Sequence, residues 1–355
     1  MTKITGITTE HTTKRIYLFI IFGLCCTFLF GKEKDTPQKG EGIYAFLRRN
    51  NRTEAKHYEE FIRLNASKLD KSNSLRWGIA YLLPPLNITD NNNNTNKNKK
   101  GAVNEKKRTG TQPLFGEKYK NYEIQDNKLA GACFFLVSGH GGPDSGAIAR
   151  VDGWELHEDE YNYDIMLRLA LNLLQHGATV HIIIQDPRDG IRDEKYLNNN
   201  RGETCLGEKI PASQIGRLKQ QTDAINRLSA RATAKYQRAI FIHLDSRSKR
   251  KQLDVFFYYQ DVKQNRVRSL RLAETMRQTF RNNYAKHQPS RGFSGTVSTR
   301  PLYVLQNTTP VSIFAELANM QNENDQKRYI LADNRQALAN WLCAGFITDF
   351  QSSSR

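Results

Sequence analysis

The stretch CFFLVSGHGGPDSGAI, at residues 133–148, joins an apolar run to a glycine-rich turn. The apolar run predicts a buried strand, and the glycines predict a tight exit of the backbone from a sheet. In open α/β sheets, ligands bind beyond the carboxyl ends of the strands. His140 is therefore a candidate functional residue, although a histidine in such a turn can also be purely structural.

Two later apolar segments end on further candidates. Residues 239–243, AIFIH, end on His243, and residues 311–315, VSIFA, are followed by Glu316. A helix with apolar residues at helical spacing begins at Glu158 and is expected to start at the same sheet edge. The alternative for Glu158 is an acid favoured only by the helix dipole.

The order of the remaining segments predicts the fold class. Further strands are predicted at 178–185, 253–259 and 301–305, and further helices at 215–236, 267–284 and 334–348. Residues 187–214 are too long for a plain connection and predict a surface excursion or lid. Alternating strands and helices predict an α/β domain with a mostly parallel sheet and helices on both faces.

The four polar candidates suit a metal-dependent hydrolytic site. Two histidines and a glutamate, here His140, His243 and Glu158, form a ligand set that zinc accepts in such sites. Glu316 would then be free to act as an acid or base. The alternative is that each residue is present for local reasons, which is harder to sustain for four residues at one sheet edge.

Three motifs of the chain carry a family resemblance: SGHGGPDSGAI at 138–148, HEDEYNYDIMLRLA at 157–170 and LYVLQNTTPVSIFAEL at 302–317, with Arg227 and Asn322 beside them. On these residues the chain resembles the zinc-dependent N-acetylmuramoyl-L-alanine amidases of the type 3 family, over residues 131–350. The resemblance implies hydrolysis of the amide between N-acetylmuramic acid and the L-alanine of the stem peptide in peptidoglycan.

The same resemblance implies roles for individual residues. It makes His140, Glu158 and His243 the ligands of one zinc per chain and Glu316 the catalytic acid/base. Arg227 and Asn322 become candidates for substrate binding. The chain departs from the family pattern at 244–245 and 318–319, which puts the details of substrate recognition in doubt more than the reaction.

Residues 39–85 predict a small α+β unit with two short helices and a closing strand. Its motifs, Gly40-Glu41-Gly42, Phe61, Leu64-Asn65, Gly78, Tyr81 and Pro84, resemble a LysM module, which binds the glycan of peptidoglycan. The first strand of that family has no convincing counterpart, and a small cap without a ligand is the alternative. An Asn/Lys-rich linker at 86–113 would connect this unit to a catalytic domain at 114–350.

The amino terminus predicts export. Lys14 and Arg15 precede the apolar run IYLFIIFGLCCTFLFG at 16–31, which is the layout of a secretory signal. Residues 1–31 are interpreted as a signal peptide or a retained signal anchor, and the residues before Cys25 make a poor lipoprotein signal. The expected location is the periplasm or cell envelope, with membrane contact only through an uncleaved amino-terminal segment.

Charge and cysteine content limit the partners. The formal net charge of +17 over 355 residues suggests an anionic partner such as a cell-wall polymer. Nucleic acid is disfavoured by the export signal and by the lack of a groove-reading motif. Peptidoglycan and an activator protein are the candidate partners, and a catalytically silent wall-binding protein is the alternative function. Cys133 and Cys343 are expected to be buried as small apolar residues.

Overall fold

The computed structural model describes residues 33–38, 41–52, 55–69, 75–86, 108–288 and 291–353. The predicted signal at 1–31 and residues 87–107 of the predicted linker lie outside the described residues. Among the helices that are described, none is both long and apolar enough to cross a membrane.

The described residues form two units, a small amino-terminal one and a larger α/β domain. The helices are α1 (Ile43–Arg49), α2 (Ala55–Asn65), α3 (Glu158–Gln175), α4 (Gln214–Arg231), α5 (Arg266–His287), α6 (Tyr303–Asn307), α7 (Glu323–Ile330) and α8 (Ala332–Ser353), with a 3₁₀ turn at Pro113–Phe115. The strands are β1 (Lys34–Asp35), β2 (Tyr81–Leu82), β3 (Thr109–Thr111), β4 (Asn121–Glu123), β5 (Ala132–Ser138), β6 (Ile148–Val151), β7 (Trp154–His157), β8 (Thr179–Ile182), β9 (Ile184–Gln185), β10 (Thr204–Cys205), β11 (Glu208–Lys209), β12 (Tyr236–Asp245), β13 (Phe256–Tyr259), β14 (Thr296–Thr299) and β15 (Val311–Asn319).

A six-stranded sheet forms the centre of the α/β domain, with the order β14-β13-β15-β12-β5-β8. All neighbouring strands in it are parallel except β13 and β15, which are antiparallel. The predicted mostly parallel sheet is therefore confirmed. The strands β5, β12 and β15 lie side by side, and their carboxyl ends meet at one edge of the sheet.

Helices cover both faces of this sheet, as the sequence predicts. Alternate residues of β5 point to opposite faces, so Phe134 and Leu136 join one core while Phe135 and Val137 join the other. The first core is completed by residues of α3, α5 and α8, and the second by residues of α4 and α6. The cysteines Cys133, Cys205 and Cys343 are buried and free.

Several sequence-based boundaries differ from the structure. The strand predicted at 301–305 is wrong, because Tyr303–Asn307 forms helix α6. Apolar runs this short do not distinguish a strand from a buried helix. The segment predicted as one strand at 178–185 is divided between β8 of the central sheet and β9, which pairs with β10. Residues 187–214 thus contribute the strands β10 and β11 to a three-stranded sheet with β9.

The amino-terminal unit has the order β1-α1-α2-β2, with β1 and β2 paired antiparallel. The sequence did not indicate strand β1. A separate apolar core holds the unit together and consists of Ile43, Phe46, Leu47, Phe61, Leu69, Tyr81 and Leu83. Residues 109–111, within the predicted linker, form strand β3 and pair with β4.

Candidate metal centre

The two histidines and the first glutamate that the sequence singles out lie together at the carboxyl edge of the central sheet. His140 Nε2 is 3.2 Å from Glu158 Oε2, and His243 Nδ1 is 3.1 Å from Glu158 Oε1. One nitrogen or oxygen of each residue lies within 4.8 Å of those of the other two. Residues separated by up to 103 positions in the chain thus converge on a single point.

The glycine-rich turn after β5 holds His140 in place. His140 has φ of 67°, and Gly141 and Gly142 also have positive φ, which explains the glycines that follow the histidine. His140 Nδ1 is 2.9 Å from Asp144 Oδ2, and Arg217 donates to the same oxygen over 2.7 Å. Asp144 therefore orients the ring so that Nε2 faces Glu158.

Glu158 begins helix α3 and is held by backbone and side-chain donors. Its Oε2 accepts a hydrogen bond from the Ala147 amide over 3.0 Å, and its Oε1 accepts one from the Leu244 amide over 3.2 Å. Asn162, one helical turn later, donates to Oε1 over 3.2 Å. These donors fix the carboxylate between the two imidazoles, and the side chain is only 4% exposed.

His243 lies on β12, between residues of its two neighbouring strands. The ring stacks on Phe314 of β15, with centroids 4.3 Å apart and planes inclined by 17°. On the side of β5, a Cβ added to Gly139 would lie 2.2 Å from Cε1 of the His243 ring. Only a glycine at position 139 leaves room for the ring in this position.

The protonation of the cluster reflects this close contact. Burial raises the pKa of Glu158, but hydrogen bonds with His140 and His243 outweigh it and leave the pKa below its usual range. Burial lowers the pKa of His140, but the carboxylates of Asp144 and Glu158 outweigh burial and raise it to about 10. Burial lowers the pKa of His243. Since a histidine ligand must be neutral, a metal ion bound here would displace a proton from His140.

Glu316 lies beside the cluster, directly opposite His243 in the pairing of β12 with β15. Its Oε2 is buried and has no hydrogen-bond partner among the described residues. Burial, and then the negative charge of Glu158, raise the pKa of Glu316 well above its usual value. A carboxyl group of this kind keeps its proton at higher pH than an exposed glutamate does, which suits a group that transfers protons.

The three grouped residues fit a zinc ion. Ligand atoms of a tetrahedral zinc with bonds of about 2.0–2.1 Å lie about 3.3 Å apart. The contacts of Glu158 with His140 and His243, at 3.2 and 3.1 Å, are close to that separation. A donor set of two imidazoles and one carboxylate, with no thiolate among the described residues of the cluster, is typical of catalytic zinc.

The two candidate substrate residues lie apart from this cluster. Arg227 is exposed on helix α4 and makes no hydrogen bond or ion pair with the three ligand residues within the described chain. Asn322 caps helix α7 by accepting from the amides of Asn324 and Asp325, and it donates to the Lys249 carbonyl. These contacts account for the Asn322 side chain without a ligand. The role of both residues in substrate binding stays a prediction.

Sequence reasoning missed the residues that support the ligands. Asn162 lies one helical turn after Glu158 on α3, so helical spacing could have indicated its contact. Asp144 lies four residues after His140 in a turn, where no regular spacing indicates a contact. Arg217 is 73 residues from Asp144 and had no local signal. Gly139 could be recognised only once its contact with His243 was known.

The mostly parallel sheet has helices on both faces, and the His–Glu–His cluster lies at its carboxyl edge. These features define the class of α/β proteins with a candidate metal site at the carboxyl edge of the sheet. Residues 135–348 match the Amidase_3 family, described as N-acetylmuramoyl-L-alanine amidase. The chain belongs to this family, whose members are hydrolases that act on peptidoglycan at the cell envelope. The fold and the enzyme class expected from the sequence are thus confirmed.

Solved structures add similar folds at low identity. The CwlD amidase from Clostridioides difficile, in complex with the GerS lipoprotein, is 18% identical and aligns over 62% of this chain and 99% of its own, with a TM-score of 0.45. AmiC2 of Nostoc punctiforme is 21% identical over 63% of this chain and 99% of its own, with a TM-score of 0.43.

Cwp6 from Clostridium difficile is 20% identical over 61% of this chain, with a TM-score of 0.45, and the match spans 29% of Cwp6. Comparison with curated proteins gives no match.

Proposed function

We propose that this chain is a zinc-dependent N-acetylmuramoyl-L-alanine amidase in which His140, Glu158 and His243 hold one zinc ion and Glu316 transfers the proton. The observation that carries the proposal is the convergence of the three ligand atoms within 4.8 Å of one another, beside a buried carboxyl group. Membership of the amidase family supplies the reaction, which cleaves the amide between N-acetylmuramic acid and L-alanine.

A zinc ion at these residues would polarise the scissile carbonyl and lower the pKa of a water molecule. The protein's own residues prepare that position. Asp144 fixes the orientation of His140, while the amides of Ala147 and Leu244 keep Glu158 directed between the histidines. The site is thereby organised before substrate binds, and little reorganisation is needed during the reaction.

Glu316 is the proposed acid/base. Its raised pKa and its unpartnered, buried Oε2 support a role in moving a proton. It would take a proton from the attacking water and deliver it to the leaving nitrogen of alanine. Because Glu316 lies opposite His243, its carboxyl group would be near the reacting atoms. We do not count it among the metal ligands.

Two mutants test these roles in the full chain. Glu316→Gln should lower turnover by about 10²- to 10⁴-fold, the usual contribution of a general acid/base, while zinc content stays at the wild-type level. Glu158→Gln should lose zinc, because a neutral amide is a poorer ligand than a carboxylate. The measurements are elemental analysis and mass spectrometry of fragments released from purified peptidoglycan.

Glu155→Gln is the matched control, since Glu155 is exposed on the hairpin just before Glu158 and pairs with Arg150. It should change neither zinc content nor rate. Loss of zinc from Glu316→Gln with retention by Glu158→Gln would reverse the two assignments. Full zinc content without any cleavage by the wild-type chain would favour a silent wall-binding protein.

The amino-terminal unit is proposed to be a LysM-like module that tethers the enzyme to glycan. Support comes from its β1-α1-α2-β2 order, its paired terminal strands and its separate apolar core. A second, weak contact with the polymer would raise the local concentration of the catalytic domain. Deleting residues 33–86 should weaken retention by insoluble cell wall and leave hydrolysis of soluble muropeptides nearly unchanged. An equal loss on both substrates would instead indicate a role in folding.

Export to the periplasm or cell envelope is proposed from the apolar run at 16–31 and its basic flank. Peptidoglycan lies outside the cytoplasmic membrane, so an enzyme that acts on it must cross that membrane. Fractionation of cells that express the full chain tests this proposal, and the mass of the recovered protein distinguishes a cleaved signal peptide from a retained anchor. Recovery of active enzyme only in the cytoplasm would contradict it.

A further inference from the structure

We propose that Asp159, Glu160 and Glu203 form a second cation site next to the first, one that takes a hard divalent cation, either Ca²⁺ or Mg²⁺. One carboxylate oxygen of each residue lies within 4.8 Å of those of the other two. All three residues are buried, with exposed fractions of 3%, 1% and 7%. The proposed zinc chemistry does not use any of them.

The carboxylate of Asp159 provides the evidence that this cluster binds a ligand. Its Oδ2 is buried and has no hydrogen-bond partner among the described residues, while its Oδ1 accepts only from the adjacent Glu160 amide over 3.0 Å. Buried polar atoms are almost always hydrogen-bonded, and buried charges are paired or bind a metal. Asp159 therefore has an unsatisfied buried oxygen within a group of three carboxylates, and a bound cation would satisfy it.

The neighbouring positively charged side chain of Arg192 does not supply a partner for Asp159. Arg192 Nη1 is 2.8 Å from Glu160 and also 2.8 Å from Asp189, so its charge is already shared. Within the described chain, neither Asp159 nor Glu203 makes an ion pair. With all three carboxylates ionised, Arg192 leaves the cluster an excess of negative charge, which a divalent cation would neutralise.

The donor chemistry selects the kind of cation. The three residues offer only carboxylate oxygens, which suit Ca²⁺ and Mg²⁺, whereas zinc in proteins favours sites with nitrogen or sulfur ligands. This difference in donor atoms distinguishes the second site from the His–Glu–His cluster, although Glu158 and Asp159 are adjacent in the chain. The two sites should consequently bind different metals.

The location of the cluster indicates what the cation would do. Asp159 and Glu160 belong to the first turn of α3, whereas Glu203 comes from the excursion at 187–214. Glu203 also accepts from the Gly142 amide over 2.8 Å, in the turn that carries His140. A cation bound by all three carboxylates would therefore tie the excursion to α3 and stabilise the turn around His140.

The test uses the full chain loaded with zinc and then titrated with CaCl₂ or MgCl₂ by calorimetry. We expect one further equivalent of one of the two cations and a higher thermal midpoint in its presence, because a ligand that binds only the folded state stabilises it. Asp159→Asn and Glu203→Gln should each weaken this binding at least tenfold. Elemental analysis of the same samples monitors the zinc site independently.

Asp152→Asn is the matched control, since Asp152 is an exposed acid in the hairpin between β6 and β7 and should leave the affinity unchanged. The proposal is overturned if the wild-type chain binds neither cation, or if Asp159→Asn and Glu203→Gln bind it as tightly as the wild type does. A wild-type chain that binds neither cation, combined with an unchanged thermal midpoint for Asp159→Asn, would show that a proton occupies the cluster. Each of these results leaves the zinc proposal standing, because zinc content is measured separately.

Discussion

Replacing Gly139 by alanine tests whether the position of the His243 ring determines metal binding. An added Cβ would lie 2.2 Å from Cε1 of His243 and 2.4 Å from both ring nitrogens. Ordinary contact begins at 3.4 Å, so the ring would have to retreat by about 1.2 Å. Gly139 has no positive φ, so an alanine there fits the backbone and acts only through this contact.

The ring has no free space for such a retreat. Phe314 stacks on it from the neighbouring strand β15 at 4.3 Å, and Glu158 holds its Nδ1 at 3.1 Å. Metal–ligand distances tolerate a deviation of only about 0.2 Å. We therefore expect Gly139→Ala to lose more zinc affinity than the about 10- to 100-fold that changes in supporting residues cause. Overpacking should also lower the free energy of unfolding by about 1–3 kcal/mol.

Zinc affinity would be measured by competition with a coloured chelator, and activity by release of peptide from purified peptidoglycan. Gly131→Ala is the matched control, because Gly131 directly precedes β5, at the end opposite Gly139, and has no atom within 4 Å of the added Cβ. Its φ of 84° should cost about 1–3 kcal/mol of stability without loss of zinc. If Gly139→Ala kept wild-type zinc affinity and rate, the reasoning from ring position would be refuted.

Two further predictions concern Asp144 and Asp193. Asp144→Asn removes the charged partner of His140 Nδ1 and should weaken zinc binding by about 10- to 100-fold in the same chelator assay; an unchanged affinity would contradict this. Burial raises the pKa of Asp193, but Arg48 and Arg168 outweigh it and hold the pKa below its usual range. The resulting stabilisation is complete above the unfolded-state pKa of about 3.9 and is lost progressively as pH falls from there through the lower folded-state pKa. The free energy of urea unfolding should therefore differ between wild type and Asp193→Asn at pH 7, and this difference should shrink progressively as pH falls below about 4. A constant difference would exclude this linkage.

The sequence determined much of the site because its signals are local. An apolar run that ends in glycines indicates a strand and its exit, and this placed His140. The same argument placed His243 and Glu316 at the ends of two further strands, and the structure shows that these strands are parallel neighbours. The helical spacing of the apolar residues after Glu158 predicted that a helix begins there, and α3 does begin at Glu158.

Local signals failed where the segments were short or where partners were distant. Residues 301–305 have the apolar content of a strand, yet α6 forms there because its Val304 and Leu305 pack in the core beside α4. The strands β10 and β11 contain two residues each, so no periodicity could indicate them. Strand β10 pairs with β9 and β11 pairs with β10, so both depend on where β9 follows the central sheet.

Only the tertiary structure decided which side chains share a point in space. Glu158 and His243 are separated by 85 residues, and their contact exists because α3 starts at the same sheet edge at which β12 ends. The contact of Gly139 with the His243 ring and the convergence of Glu203 on Asp159 have the same origin. Hydrophobic periodicity specifies which face of an element is buried, whereas the order of strands in the sheet specifies the neighbours of each residue. That order depends on contacts between distant parts of the chain, so the sequence predicted the ligands while the fold decided how they are held.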